Sequence, residues 1–335
     1  MITYKSAGVD VSRIKKSQSA IGKIIASTHS GTVKSGFGHY AGLVGIHGGK
    51  YLATHTDGVG TKVLIANLLK KYDTIGIDCV AMNVNDIICI GAAPISFVDY
   101  IAANQNKESV FVEIAKGLAV GAKKSGMPIV GGETAIMPDL FEEKKFAFDL
   151  AGMVAGLVDK NKVILGNKIK PGDAIIGIAS TGIHSNGYSL ARKTLLKKYS
   201  IYDNVKGLGK IGHAMLAPTE IYVKPVLDVI SKCEVHGLAN ITGGAFTKLL
   251  RLKKIGFVLD MMPEPPKIMQ IIEDLGVSSE EMYKTFNMGV GFCVIAPKSQ
   301  VNKIMSIFRK HRLVSYEIGH ISNKPGVVVG NKRLA

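Results

Sequence analysis

The sequence has no tryptophan and only four cysteines in 335 residues. Cys79, Cys89, Cys233 and Cys293 show no C-x-x-C spacing, which argues against a zinc site or a disulfide framework. Two of them sit inside apolar runs (IDCVAM and GVGFCVIA), so buried, reduced thiols are expected. Acidic residues are also scarce: 26 Asp and Glu stand against 42 Lys and Arg, a formal net charge of +16. The cations come as scattered pairs such as Lys15-Lys16, Lys70-Lys71, Lys123-Lys124 and Lys253-Lys254, without a long block or interleaved aromatics. That pattern disfavours nucleic acid as a partner and is compatible with anionic small substrates. No apolar run is long enough to span a bilayer; the best candidate, 150–158, is far too short. Residues 1–10 (MITYKSAGVD) lack the apolar core of a signal peptide, so a cytoplasmic protein without a membrane partner is expected.

Familiar nucleotide and hydrolase signatures are missing as well. There is no G-x-x-x-x-G-K-[ST], and Gly36, Gly38 and Gly42 miss the G-x-G-x-x-G spacing, so neither a P-loop nor a Rossmann fingerprint is present. G-x-S-x-G and H-E-x-x-H are absent too.

What is present reads as α/β (α+β) in both halves. Strands are expected at 51–56, 95–103, 127–130, 146–158, 174–179, 256–260, 291–296 and 314–321. Helices are expected at 74–89, 108–125, 187–198, 218–232, 243–252 and 300–311. The helix at 74–89 turns Ile77, Val80, Ala81, Val84 and Ile88 to one side. Asp78, Asn85 and Asp86, seven and eight residues apart, share a second face. The polar stretch 159–173, ending in Lys-Pro-Gly-Asp, marks a boundary between two mixed domains, 1–165 and 166–335.

Several polar, Gly-rich turns could carry chemistry. Asp57-Gly58-Val59-Gly60-Thr61-Lys62 follows a strand and combines a carboxylate, flexible glycines, a hydroxyl and a lysine, the parts needed to hold metal-bound phosphate. A tight turn with a solvated lysine would read the same. Asp86, beside Asn85 on an apolar helix, needs a cation or a buried partner. Gly131-Gly132-Glu133-Thr134 gives close ligand approach or a plain turn at a strand end. His184-Ser185-Asn186-Gly187 precedes the helix bearing Arg192. Ser185 or Asn186 can cap that helix, leaving N–H groups for a phosphate, and His184 can exchange protons near neutral pH or be structural. Thr242-Gly243-Gly244 opens another helix in the same way, and Asn287-Met288-Gly289 precedes a strand.

Eight segments in order, from Tyr4 to about Gly319, carry a resemblance. They are 4–10 (YKSAGVD), 56–62 (TDGVGTK), 73–78 (DTIGID), 84–86 (VND), 131–135 (GGETA) with Met137-Pro138, 184–190 (HSNGYSL), 240–244 (NITGG) and 285–291 (TFNMGVG). Together they resemble the aminoimidazole ribonucleotide synthetase, or phosphoribosylformylglycinamidine cyclo-ligase, family. The resemblance implies two α/β domains, a homodimer formed mainly through the amino-terminal one, and ATP bound without a P-loop. It also implies an MgATP-dependent ligase of purine biosynthesis, converting formylglycinamidine ribonucleotide to aminoimidazole ribonucleotide, ADP and phosphate.

Carried over by position, Asp57 and Asp86 match the metal-binding acids. Gly36 and Gly38 belong to a loop over the nucleotide, which Gly58, Gly60, Thr61, Lys62 and Asn85 would also meet. Glu133 and His184 are the candidate catalytic residues. Gly131, Gly132, Ser185, Asn186, Gly187, Thr242 and Gly243 are the candidate substrate contacts. Ile136, Asn240 and Ala245 stand where this family usually has Glu, His and Gly. Thiamine monophosphate kinase, selenophosphate synthetase, a hydrogenase maturation protein and the glutamine-dependent synthase of the same superfamily would share the Asp57 and Asp86 type of site. The first lacks the GGETA and HSNGY pattern, the second should show a reactive Cys or selenocysteine near its start, and the last is much longer.

Overall fold

The computed structural model describes residues 2–35, 38–141 and 145–335. The first half builds a six-stranded sheet from β1 (Val33–Ser35), β2 (Gly42–Ile46), β3 (Lys50–Gly58), β4 (Ala93–Ala103), β5 (Ile129–Ile136) and β6 (Phe148–Asp159). Its order is β1-β2-β3-β6-β4-β5, antiparallel except for the parallel pair β4/β5. Helices α1 (Val11–Ile25), α2 (Val63–Leu69), α3 (Asp73–Ile87) and α4 (Glu108–Ser125) belong to the same half.

In the second half β7 (Ala174–Ala179) is followed by α5 (Tyr188–Lys198), the short pair β8 (Asn204–Val205) and β9 (Gly209–Lys210), α6 (Ile211–Leu216) and α7 (Val223–Lys232). Then come β10 (Gly237–Asn240), β11 (Gly256–Leu259), α8 (Lys267–Asp274), α9 (Ser279–Thr285), β12 (Val290–Ala296), α10 (Val301–Lys310), β13 (Ser315–Ser322), β14 (Gly326–Val329) and β15 (Lys332–Arg333). Seven of these strands form a mixed sheet ordered β10-β12-β7-β13-β11-β14-β15. Among the described residues no helix is long and apolar enough to cross a membrane.

Periodicity explains most of this. Strand β6 alternates buried and less buried residues along FDLAGMVAGLVD, so one face of the first sheet is covered and the other open. Helix α3 is apolar nearly all round and is buried at most positions, because the sheet lies on one side and α4 on another. The approach of α3 to α4 is backbone to backbone. A Cβ on Gly76 would sit 2.2 Å from Leu118 N, and one on Gly117 2.0 Å from Asp73 O, so only glycine fits at either position.

The polar face of α3 is spent on the other domain. Lys62 Nζ lies 2.9 and 2.7 Å from the two Asp78 carboxylate oxygens and donates to Ala217 O at 2.6 Å, with both side chains fully buried. Asp78 Oδ1 also accepts from the Thr219 N–H (2.7 Å) and hydroxyl (2.6 Å). Two turns on, Asn85 donates to Glu220 O at 2.7 Å and accepts from Tyr222 N–H at 3.0 Å. Residues 217–222 are thus held extended against α3, and the buried apolar cluster runs through both halves without a break.

Where the expected elements differ, the clamp or the sheet edge is the reason. The helix expected from 218 begins only at Val223, because 217–222 are gripped by Asp78 and Asn85. The strand expected to end at residue 130 continues as β5 through Gly131, Gly132 and Glu133, which are exposed on the sheet's edge rather than buried. The helix expected at 243–252 is a 3-10 helix, Ala245–Arg251. Helices α1, α2, α6, α8 and α9 were not anticipated; α1 is rich in Lys and Ser and buries none of its residues.

Removing one member of a buried ion pair strands the other, at a cost of about 3–5 kcal/mol. Asp78→Ala should therefore lower the denaturant-unfolding free energy by that order. Lys62→Met combined with Asp78→Leu should recover most of the loss, and a double variant as unstable as the single one would show that the pair is not the source.

Candidate active site at the domain junction

Residues 53, 55 and 57 of β3 face the helices, and α3 offers Asn83 and Asp86 to that side. Asn83 was not anticipated as a functional residue. Its amide accepts from Asp57 N–H (2.9 Å) and donates to Asp57 O (3.1 Å) and Cys79 O (2.9 Å), so both ends of the side chain fix the backbone that carries Asp57. The Asp57 carboxylate accepts the Gly58 N–H at 2.8 Å. Asp86 is buried; its Oδ1 accepts from Asn240 Nδ2 at 2.6 Å, and its Oδ2 lies 3.5 Å from His55 Nε2. Burial and, after it, the neighbouring Asp86 charge push the Asp57 carboxyl above its ordinary range.

One cation serves both acids. Desolvation pulls Lys248 below the ordinary lysine value, while Asp86 and then Asp57 act in the opposite sense. Lys248 Nζ donates to the Thr242 hydroxyl. Lys248, His55 and Asn83 escaped the sequence reading because each lies inside a segment that reads as plain strand or helix. Only the crossing of β3, α3 and the 3-10 helix brings them together.

Two carboxylates with a carbonyl-rich surround are hard oxygen donors, and among the described residues no group of three or more His, Cys, Asp and Glu side chains could hold a metal by itself. That donor set fits Mg²⁺, which commonly takes one or two carboxylates and completes its shell with water and phosphate oxygens. Gly60, at φ 69° with open space beside it, and Thr61 are exposed next to Asp57. Beside them a cavity of about 640 Å³ is lined by Gly38, Tyr40, Thr54, His55, Thr56 and Arg251. Gly36, expected in the same loop, lies outside the described residues. Gly243 approaches from the second domain, with the Asn186 amide oxygen 3.0 Å from where its Cβ would be, and Asn186 Nδ2 contacts Met82 Sδ at 3.8 Å, one turn before Asp86.

Other expected residues are placed elsewhere. Lys62 does not face a phosphate: it is fully buried and bound to Asp78 and Ala217 O. Asn85 uses both ends of its amide on residues 220 and 222. Ser185 is buried against the Thr219 hydroxyl (3.0 Å), inside the clamp. Neither Ser185 nor Asn186 caps α5. Gly187 occupies the N-cap at φ 76°, and its missing Cβ would meet the Phe286 ring at 2.5 Å, so glycine is required by packing rather than by a ligand. Arg192 lines a separate cavity, away from the α5 N-terminus.

Gly132 stands in the same register row as Asp99, Gly152 and Asp57, three strands across. At about 4.8 Å per strand that is roughly 14 Å, too far for the Gly131-Gly132-Glu133 segment to share reacting atoms with Asp57 inside one chain. Glu133 also points to the opposite, open face of the sheet, in line with Tyr100 and Ala151.

His184 is the clearest reassignment. It is buried with φ 63°, its Nε2 accepts from Thr181 N–H at 3.2 Å, and Lys62 lies near. Burial, then Lys62, lowers its pKa to about 3, so it is neutral at physiological pH. Because the unfolded chain takes up this proton near pH 6.5 and the folded one only near 3, stability contributed by neutral His184 is present above 6.5 and lost as pH falls through that window. His184→Asn, which tolerates positive φ, should flatten the stability profile by up to about 1.4 kcal/mol per pH unit between those limits. Parallel wild-type and variant unfolding curves at pH 7.5, 6 and 5 would remove His184 as the source.

Both halves of the chain match known proteins. The family described as AIR synthase related protein, N-terminal domain, matches residues 38–158, and its C-terminal domain matches 170–331. The phosphoribosylformylglycinamidine cyclo-ligase of Pyrococcus furiosus is 48% identical over 99% of this chain and 98% of its own length. Two solved structures share the fold at low identity. The AaThiL complex with AMPPCP and TMP has TM-score 0.67 and 17% identity, covering 93% of each chain. The T. maritima PurL complex with FGAR has TM-score 0.62 and 18% identity, covering 91% of this chain and 48% of that one. With both domain profiles matched in order and a relative almost half identical end to end, the chain belongs to the AIR synthase related protein family.

Proposed function

We infer that this chain is a phosphoribosylformylglycinamidine cyclo-ligase, an ATP-dependent ligase of purine biosynthesis. It closes the ring of formylglycinamidine ribonucleotide to give aminoimidazole ribonucleotide, ADP and phosphate. The observation that carries the reading is the pair Asp57 and Asp86 at a domain junction, in a chain whose near-full-length curated relatives bear that name at 44–48% identity. Fold neighbours bound to ATP, ADP and AMPPCP support a nucleotide as co-substrate.

Asp57 and Asp86 would hold Mg²⁺, which when bound neutralises and orients the nucleotide phosphates. The protein's own tasks are then positioning and charge balance. Asn83 fixes the backbone that carries Asp57, Asn240 holds the Asp86 carboxylate, Lys248 balances charge between the two acids, and Gly58, Gly60 and Thr61 leave room for a phosphate beside Asp57. The cavity at Gly38 and Thr56 suits the nucleotide, and Thr242, Gly243 and Asn186 approach from the substrate side. Phosphorylating the formyl oxygen turns it into a phosphate leaving group, and the amidine nitrogen then attacks that carbon and closes the ring. In this reading 1–165 supplies the nucleotide and metal side and 166–335 completes the cleft.

The open face of the first sheet suggests the second subunit. Ile95, Tyr100, Val130 and Met153 are exposed there and on its edge, apolar side chains of the kind that mark an interface when they cluster. We assign this face to a homodimer and place Glu133 with it rather than with the reacting atoms. A cytoplasmic setting follows from the metabolic role.

Asp57→Asn and Asp86→Asn should each lower kcat by about 10²-fold or more while leaving unfolding cooperative, since each removes charge that the cation must meet. The assay is aminoimidazole ribonucleotide and ADP formed from formylglycinamidine ribonucleotide and MgATP. A variant with wild-type turnover at limiting Mg²⁺ would lose its place as a ligand, and a wild-type protein that makes no product would end the reading. For the dimer, Met153→Glu should bring the mass in light scattering from about twice 35.8 kDa to a single chain. An unchanged mass would move the interface elsewhere.

A further inference from the structure

On the helix-covered side of the molecule, the ends of α2 and α5 and the start of α4 enclose a cavity of about 860 Å³. We propose that this cavity is a second ligand site, for a phosphate-bearing anion, shared between the two domains.

Four cations line it: Lys70, Lys107, Lys145 and Arg192. Among the described residues none of them pairs with an acid. The acid in the lining, Glu113, has its Oε2 engaged by the Tyr72 N–H at 3.1 Å. Lys107 is held at the wall with its Nζ 4.8 Å from the centre of the Phe146 ring. Four cations against the one carboxylate of Glu113 leave the lining net positive, and an anion between them reduces their repulsion.

One further observation points the same way. Helix α4 is 18 residues long and starts at this cavity without a side-chain cap; Ser109 and Val110 of its first turn, which also carries Glu108, line the cavity and set the positive end of the helix dipole beside the cations. Cations and a helix N-terminus suit a phosphate-bearing anion.

The cavity shares no lining residue with the Asp57 and Asp86 site. It is nevertheless connected to it, because α2 begins directly after Lys62, and Arg192 belongs to α5 of the second domain. An occupant would tie the two domains together on the side opposite the open sheet face.

The test uses the full-length protein in EDTA, so that no divalent cation supports binding between the two aspartates. Inorganic pyrophosphate and ADP are titrated by calorimetry at fixed ionic strength. One saturable site per chain is expected, retained by Lys248→Gln and weakened at least tenfold by Lys107→Gln with Arg192→Gln. Because Arg192 is partly buried, Lys70→Gln with Lys145→Gln, both exposed, should also weaken binding while leaving the melting temperature unchanged. Equal affinities would mean that the cavity reads phosphate alone, and tighter ADP would mean that it reads the nucleoside too; either sustains the site. Absence of saturable binding overturns it. So does loss of binding in Lys248→Gln, or an equal loss in the distant surface control Lys123→Gln with Lys310→Gln. Ring closure is measured separately with Mg²⁺, so the two proposals fail independently.

Discussion

A lysine ammonium taken wholly out of water must find its charge partner at once, and the contact between Lys62 and Asp78 is where this structure commits itself. The pair closes only if the turn after β3, the start of α3 and residues 217–219 meet at one point. Burial lowers the Lys62 pKa while Asp78 opposes the shift, so the bond is strongest with both partners charged. Any sliding of one domain over the other would break three short contacts inside a dry interior. The relative position of the two sheets is therefore fixed by chemistry as well as by the shared apolar core.

The site inherits its geometry from that contact. Asp86 lies two turns beyond Asp78 on the same helix, so holding Asp78 against Thr219 holds Asp86 near β10 and Asn240. The opposite wall, Asp57, hangs from α3 through the two-way Asn83 amide bond. Both acids are thus attached to one rigid helix, one by chain and one by hydrogen bonds. Burial first, and repulsion from Asp86 after it, raise the Asp57 carboxyl above its ordinary range and with it the energy of the charged pair without a cation. A stiff helix can hold such a pair together; a loop would let the carboxylates part.

Much of this was legible in residues, but unevenly. Strongly periodic elements such as α4 and β7 follow the pattern of the chain closely, since each has one apolar stripe or a fully apolar run. Asp86 was singled out because a carboxylate in apolar company demands an explanation, and Asp57 because it heads a Gly-rich turn after a strand. Lys62 and Asn85 were read with them as ligand contacts, while in the fold the chain itself partners both across more than 130 residues of sequence. His184 and Gly187 were open to two readings for a related reason. A turn with positive φ looks alike whether a ligand or a phenylalanine ring fills the space beside it, and Phe286 is a hundred residues away. Local sequence announces that a group is unusual, while the partner that satisfies it is a tertiary fact.

The positions that depart from the family's usual residues show how the local geometry is maintained. Ala245 holds φ 40°, a region that costs a residue with a Cβ about 1–2 kcal/mol. Its N–H still reaches Thr242 O at 2.6 Å, and Gly244 before it takes φ 84°. The turn is therefore imposed from both ends, by β10 on one side and by Lys248 bonded to Thr242 on the other. Asn240 is likewise shorter than the usual histidine, yet its Nδ2 still donates to Asp86 at 2.6 Å. Its Oδ1 is left buried without a partner among the described residues. In both cases the backbone and the carboxylate contact are kept while the side chain varies. This is the expected behaviour where the fixed requirement is the placement of Asp86 and the Gly243 turn, and the residue filling each position is the adjustable part.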